Sequence, residues 1–273
     1  PPPPPPPPPP PFFFLHHHSV YPYPLWSRGL GDVYKRQVYP PPFLKFSLQK
    51  KDRFMFDATL TPPINFVYTQ PMPCPYIDHK MERRLATDIS TIRGKKCHNI
   101  LAQAGFRRSQ HISYKPACRS CSACKPIRVV AKKFNRTKSQ KRIYNRNRDL
   151  VTEYLTPVAT PELFELFQNY QMLRHSGGEM ALMDYSDFRG MLETSPIKTS
   201  IKTYRLEVSR ELIGAVLLDD QSDGYSAVYS FFNCLQPERS MGTFIILDLI
   251  DDLRHKDLDY LYLGYWICLL YTS

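Results

Sequence analysis

The sequence has no apolar run near the ~18 residues that a membrane-crossing helix requires, which argues against a helical membrane anchor. A secretory signal is missing too: the first residues show no basic leader, apolar centre and small-residue cleavage site in succession. No internal repeat is visible, which sets aside repeat arrays. Acids are the scarcer charge, 25 against 36 Lys and Arg, and none occurs from Lys125 to Arg148.

The chain has 273 residues, a net charge of +11 and a sequence pI near 9.3. That length suits one large domain or two small ones, and 42% hydrophobic residues suffice for a core. The basic balance points to an acidic partner, most often nucleic acid. Seven cysteines, an odd and unevenly spread set, point to reduced thiols in a cytoplasm and to a metal before a disulfide framework.

Both ends read as foreign to the fold. Residues 1–11 are all proline, and "FFFLHHHSVYPYPLWSRGLGDVYKRQ" shows neither strand nor helix periodicity. "WSRGLGDVYKRQ" and the terminal "CLLYTS" resemble translated adapter DNA. Residues 1–54 and 268–273 are therefore expected to be artefactual, with Met55 the natural start. Without residues 1–38, which hold three cations and one acid, the chain still carries +9.

Patterning begins after Met55. Met81, Leu85 and Ile89, spaced by four, predict a helix over 78–90. Lys96 to Ala104 reads as a short helix stopped by Gly105, and 139–150 as a basic helix. Residues 108–114 and 126–134 read as extended. Pro157 and Pro161 mark a join. Thr160 is an N-cap with Pro161 at the first helical position, and the helix runs to Gly177-Gly178. Another short helix covers 184–192. Extended runs at 199–208, 211–219 and 225–232 follow, with turns at Arg210–Glu211 and Ser222-Asp223-Gly224. A helix over 241–255 and the strand "LDYLYLGYW" complete an α+β pattern. The expected division is a small cysteine-bearing domain at 55–156 and a second domain at 157–267.

Cys118, Cys121 and Cys124 stand in C-x2-C-x2-C spacing. Thiolates this close repel unless a soft cation neutralises them. Tetrahedral zinc and a cubane iron–sulfur cluster each want a fourth ligand. Cys74 in "PMPCPYI" is the best candidate, ahead of Cys97 and His98 on a predicted helix; Cys234 reads as structural. Beside the thiols, Lys125 to Arg148 holds ten cations, among them Lys132, Lys133, Arg136, Lys138, Lys141, Arg142, Arg146 and Arg148. Such a stripe binds phosphates without reading sequence, and Tyr144 is placed to stack a base.

"PCPY", "AGFRRSQHISYKPACRSCSACKPIRVV", "FNRTKSQKRIYNRNRDL", "RHSGGEMALMDY", "SAVYSFF", "ERSMGTFIILDLI" and "YLYLGYWI" together resemble the bacterial aminoacyl-tRNA–protein transferases, most of all the aspartate/glutamate leucyltransferase branch, kin of the arginyl-tRNA–protein transferases. The resemblance runs in order from Asn65 to Ile267. It implies an N-terminal cysteine-bearing domain and a C-terminal domain like the acetyltransferases of the GNAT fold. It also implies transfer of leucine from leucyl-tRNA to proteins beginning with Asp or Glu, which marks them for degradation. Cys74, Cys118, Cys121 and Cys124 match the family's cysteine positions, so a structural zinc or iron–sulfur cluster is implied there. The transfer itself needs no cofactor. In the family the "GYW" strand continues into a basic, aromatic segment, where this chain reads "CLLYTS". The second domain is therefore expected to be truncated.

"ERSMGTF" falls where a GNAT-like domain has its phosphate-binding loop. There Gly242 would admit close backbone approach and Arg239 would reach a tRNA phosphate. Arg107 and Arg108, with Lys115 behind them, are the candidates for the acceptor's carboxylate. Tyr229, Ser230 and Tyr265 are the candidates for the cleft lining. Three other readings stand beside this one: transfer of arginine, a non-catalytic metal-containing RNA-binding protein, and a CoA-dependent acetyltransferase.

Overall fold

A computed structural model describes residues 64–267. The expectations for residues 1–54, for Met55 as the start and for 268–273 lie outside that range. None of the described helices is long and apolar enough to cross a membrane.

The front of the chain builds a four-stranded antiparallel sheet in the order β1-β4-β6-β5. Its strands are β1 (Val67–Tyr68), β4 (Arg84–Asp88), β5 (Arg107–Ser109) and β6 (Ile112–Pro116). A small ribbon of β2 (Met72–Pro73) and β3 (Met81–Glu82) stands beside it. The helix predicted over 78–90 is thus strand instead. A spacing of four is a multiple of two, so it marks one face of a strand as well as one face of a helix. Of the predicted stripe only Ile89 is fully buried; Met81 is exposed, and Glu82 of β3 with Arg84 and Ala86 of β4 turn inward instead. Helix α1 (Ile92–Gln103) is capped by the Thr91 side chain, which accepts from Gly94 N. It ends at Gly105, whose φ of +87° needs no Cβ. Ile89, Leu101 and Phe106 form a small core of their own.

A six-stranded sheet follows, in the order β7-β12-β11-β10-β9-β8. Its strands are β7 (Cys124–Val130), β8 (Leu150–Leu155), β9 (Thr199–Leu206), β10 (Leu212–Gln221), β11 (Gly224–Phe232) and β12 (Tyr260–Ile267). The extended stretch expected to reach residue 134 stops at Val130 and tightens into a 3-10 turn. The basic helix, α2 (Lys138–Arg146), starts from a capping box between Thr137 and Gln140. It ends earlier than expected, because the Asn147 side chain bonds back to the Ile143 carbonyl and β8 then pairs with β9. Both edges of this sheet, β7 and β8, come from the stretch assigned to the front domain. The expected boundary at residue 156 therefore does not coincide with the sheet. A sheet edge needs a partner strand, and chain order does not say which segment supplies it.

Helices α3 (Pro161–His175) and α5 (Met241–His255) cover opposite faces of the large sheet, and α4 (Tyr185–Glu193) packs beside α3. On β9, Tyr204 donates to Asp248 of α5 at 2.8 Å, while its neighbour Arg205 pairs with Glu162 of α3. Successive residues of a strand point to opposite faces, so the two helices do as well. Phe167 of α3 meets Phe231 edge-on at 5.7 Å. Phe244, Ile245, Ile246, Leu249 and Leu253 bury α5 against the other face.

Candidate functional site

β11 and β12 run parallel but pair over only three positions, from Gly224↔Tyr260 to Ser226↔Tyr262. Beyond them β11 stays with β10 as far as Phe232, and β12 stays with β7 as far as Ile267. The two central strands therefore part in mid-sheet and leave a fork that opens toward their carboxyl ends. A fork of this kind exposes backbone groups that a continuous ladder would satisfy, which makes it a place for a ligand.

The amino end of α5 stands at the mouth of this fork. A Cβ on Gly242 would meet the Phe232 ring at 3.3 Å, so glycine permits the helix to start hard against the end of β11. Ser240 precedes the helix in the left-handed region, φ +50°, and provides no side-chain cap. The first-turn N–H groups of a helix carry its positive end and suit a developing oxyanion.

Arg239 lies in the loop before α5, as expected, but its guanidinium turns inward. It grips Asp149 with two bonds of 2.9 and 2.7 Å and reaches Asn147 and Gln236. Asn147 in turn donates to the Arg239 carbonyl at 2.8 Å. The bond from Arg239 holds the Asp149 carboxyl below the usual carboxylate range. Arg239 is thus a clamp on the loop rather than a free hand for phosphate.

Tyr229 and Ser230 are buried and do not face an open cleft. The Tyr229 hydroxyl accepts from Gln171 at 2.5 Å, and burial pushes its pKa far up. A pattern of alternating aromatics in a strand fits core and cleft alike, so sequence could not separate them. Tyr265 bridges instead, donating to the carbonyls of Gly105 at 2.7 Å and Tyr114 at 3.2 Å.

The front sheet docks across the fork through a polar joint. Arg108, expected to face substrate, is sealed inside it with Asp219 by two bonds of 2.6 Å. Side-chain exposure of that pair is 1% and 0%, so no acceptor can reach it. Beside it His98 meets Gln221 at 2.6 Å, which removes His98 from the metal candidates. Burial lowers the His98 pKa, and Arg108 and Arg107 push the same way against Asp219. Arg107 instead reaches into the base of the fork, to Ser226 and Ala227. Lys115 lies over the Phe106 ring at 4.8 Å.

α2 runs antiparallel along α5. Arg136, just before it, pairs with Asp251 and stacks on Tyr144 at 3.7 Å. At the other end Arg146 donates to the Glu238 carbonyl. Tyr144 packs against Phe244 at 5.7 Å and is not a free stacking platform. Lys132 pairs with Asp257 and Asp259 at 2.8 and 3.1 Å. Lys133 is exposed. The expected stripe is thus divided: Lys132, Arg136 and Arg146 hold the fold, while Lys138, Lys141, Arg142 and Arg148 stand exposed along α2 and its end.

Cys74, Cys118, Cys121 and Cys124 gather where the front sheet meets β7. All four are free thiols of intermediate exposure. Cys74 leaves β2, and its N–H donates to the Lys80 carbonyl at 2.9 Å. Cys118 bonds the Arg83 carbonyl through sulfur at 3.7 Å. Cys124 opens β7 opposite Ile267. Burial first, and then the neighbouring Cys74, Cys118 and Cys121, together push the Cys124 thiol up to about 12. The donors suit a soft cation in type and number. Among the described residues no His, Cys, Asp or Glu cluster already stands in ligating positions. Cys97 packs against the small core, away from this group.

Sequence reasoning missed a buried network. Lys202, 1% exposed, bonds Asp248 at 2.5 Å and also Asp252, to which Tyr154 donates at 2.5 Å. A lone lysine within "TSIKTYRL" is its only trace in the sequence.

Residues 72–142 match the family model of the arginine-tRNA-protein transferase N terminus, and residues 162–269 match that of its C terminus. The chain is 47% identical over 210 residues to the aspartate/glutamate leucyltransferase of Rhodospirillum rubrum, covering 75% of this chain and 85% of that protein. Identity to the same-named protein of Gluconacetobacter diazotrophicus is 46% over 205 residues, 75% and 78% of the two chains. Among solved structures, the L-PGS from Bacillus licheniformis aligns over 63% of this chain and 52% of its own at 14% identity, with a TM-score of 0.41.

Proposed function

The chain belongs to the arginine-tRNA-protein transferase family, and from that premise we propose that it moves leucine from leucyl-tRNA to the α-amine of proteins beginning with Asp or Glu. The observation that carries this reading is 47% identity across 85% of a relative named for that activity. The fork between β11 and β12 supports this reading as a place for the reaction. We read the six-stranded sheet as GNAT-like, on the β11–α5–β12 crossover and the fork between its parallel strands.

An aminoacyl ester is already activated, so the main task is alignment, which is entropic. The attacking α-amine has a pKa of roughly 7.7–8.0, so a useful fraction is neutral near pH 7 without a strong base. The amino end of α5 offers N–H groups to the oxyanion that forms on the ester carbonyl. Ser240, Met241 and Gly242 set that end in place, and the Arg239–Asp149 clamp holds the loop behind it.

The tRNA lies, on this reading, along Lys138, Lys141, Arg142 and Arg148. α2 points its carboxyl end at the loop before α5, so a strand bound there leads to the fork. Cys74, Cys118, Cys121 and Cys124 would hold a structural zinc ion or iron–sulfur cluster. When bound, the metal supplies cross-linking of the β2–β3 ribbon to β7, not chemistry on the ester. A reducing cytoplasm suits the free thiols.

The test is transfer of radiolabelled leucine from tRNA to Asp-, Glu- and Lys-initiated peptides, with arginyl-tRNA run in parallel. Labelling of Asp and Glu peptides by leucine alone is the expected result. Labelling by arginine instead would make it an arginyltransferase, and tRNA binding without labelling would make it a non-catalytic RNA-binding protein.

A further inference from the structure

Arg107 and Arg108 are adjacent but differently satisfied. Arg108 has a buried carboxylate, Asp219. Arg107 has none: Nη1 donates to Ser226 Oγ at 3.1 Å and Nη2 to the Ala227 carbonyl at 2.5 Å. Ser226 is the last β11 residue paired with β12, and Ala227 is the first beyond it. The guanidinium therefore sits in the crotch of the fork.

Across the gap β12 presents Gly264. A Cβ built there would lie 3.7 Å from Cζ, Nε and Nη2 alike, so the guanidinium plane faces bare backbone. Gly264 has φ +97°, at the point where the β12–β7 register shifts. A guanidinium has five N–H donors, and two are used here. What remains is a half-buried cation with spare donors and no anion beside it among the described residues. Such a group is incomplete until a carboxylate or phosphate arrives, and a planar fork of donors fits a carboxylate best.

We propose that Arg107 receives the side-chain carboxylate of the acceptor's N-terminal Asp or Glu and so determines acceptor specificity. This rests on the leucyl-transfer reading above. A fork open at its far end takes either acid, since they differ by one methylene. An amide in the same place gives up the charge-assisted bonds. An N-terminal lysine would bring a second cation against the Arg107 guanidinium in place of an anion. The Arg107 contacts to β11 hold the guanidinium in position before the acceptor binds.

The experiment uses the full chain, saturating leucyl-tRNA and peptides beginning Asp, Glu or Asn. Arg107→Ala is expected to lower kcat/KM for the Asp peptide by ~100-fold, mainly through KM, and to change the Asn peptide less than about threefold. Arg107→Lys, which keeps the charge without the planar fork, is expected to lower the Asp-to-Asn ratio about tenfold. Thermal melting checks folding, and if Arg107→Ala does not fold, Arg107→Lys decides. An unchanged Asp-to-Asn ratio, or an equal loss on both peptides, overturns the proposal. So does a loss of tRNA binding, measured by filter retention, that accounts for the drop, because the anion would then be a phosphate. A wild-type chain that transfers no leucine overturns the functional reading. A wild-type chain that transfers leucine while the variants keep its acceptor preference overturns this inference alone.

Discussion

Arg108 and Asp219 join the two sheets through a pair of 2.6 Å bonds that solvent does not reach. The residues lie 111 positions apart, so the pair closes a long loop between the halves of the chain. Removing one partner strands a buried charge, which costs far more than the pair contributes. Arg108→Ala should lower the unfolding free energy by about 3–5 kcal/mol in urea melts. The double variant Arg108→Met/Asp219→Leu should recover most of that. Equal destabilisation by the single and double variants would show that the joint does not depend on the charge pair.

His98 adds a pH dependence to the same joint. Its folded pKa is lowered from 6.5 by burial. The unfolded chain therefore binds the extra proton first as pH falls. The contribution of neutral His98 is full above pH 6.5 and is lost between 6.5 and the lower folded value. Stability measured from pH 7.5 to 5.0 should fall below about 6.5. In His98→Gln that part of the slope should vanish, and a slope that persists there would assign it to other groups.

The Arg239–Asp149 clamp is part-exposed, so its contribution to stability is small, of the order of 0.2–1 kcal/mol. Its value lies in positioning the loop before α5. Arg239→Ala should lower kcat for transfer at least ~10-fold while shifting Tm by only a few degrees. Asp149→Asn should reproduce the kinetic loss. If Tm and kcat fall in proportion, the clamp is only structural.

The divided basic stripe predicts a divided response to salt. The triple variant Lys138→Ala/Lys141→Ala/Arg142→Ala should weaken tRNA binding and flatten the log Kd–log salt slope by about 2–3, roughly one per lost phosphate contact. Lys132→Ala, whose charge is held by Asp257 and Asp259, should leave the slope nearly unchanged. Equal effects from both would mean that the intramolecular pairs open on binding.

The four-thiol group predicts proton release on metal uptake. With its thiol pushed up to about 12, Cys124 is fully protonated at neutral pH when no metal is bound. Zinc titrated into metal-free protein in weak buffer with a pH indicator should release protons, and affinity should rise with pH. Cys74→Ser should reduce both. Zinc binding unchanged in Cys74→Ser would place the fourth ligand elsewhere.

Local chemistry was sufficient for much of this. Thr160-Pro161 started α3 where the cap and the fixed proline φ require it. The unbroken apolar stripe from Met241 defined α5 to the residue. Alternating β-branched and aromatic runs located β9, β10 and β11. These are matters of propensity, capping and periodicity, which a short window contains. Other things were decided only in three dimensions. β7 and β8 left their expected domain to edge the large sheet, because pairing is settled by whichever strand is free. Arg108 was sealed and Arg107 left incomplete, though they share one motif, because strand alternation sends neighbours to opposite sides and only the partner sheet decides which side holds a carboxylate. The fork likewise has no local signature: it exists because β11 and β12 each keep an outer partner while letting go of one another.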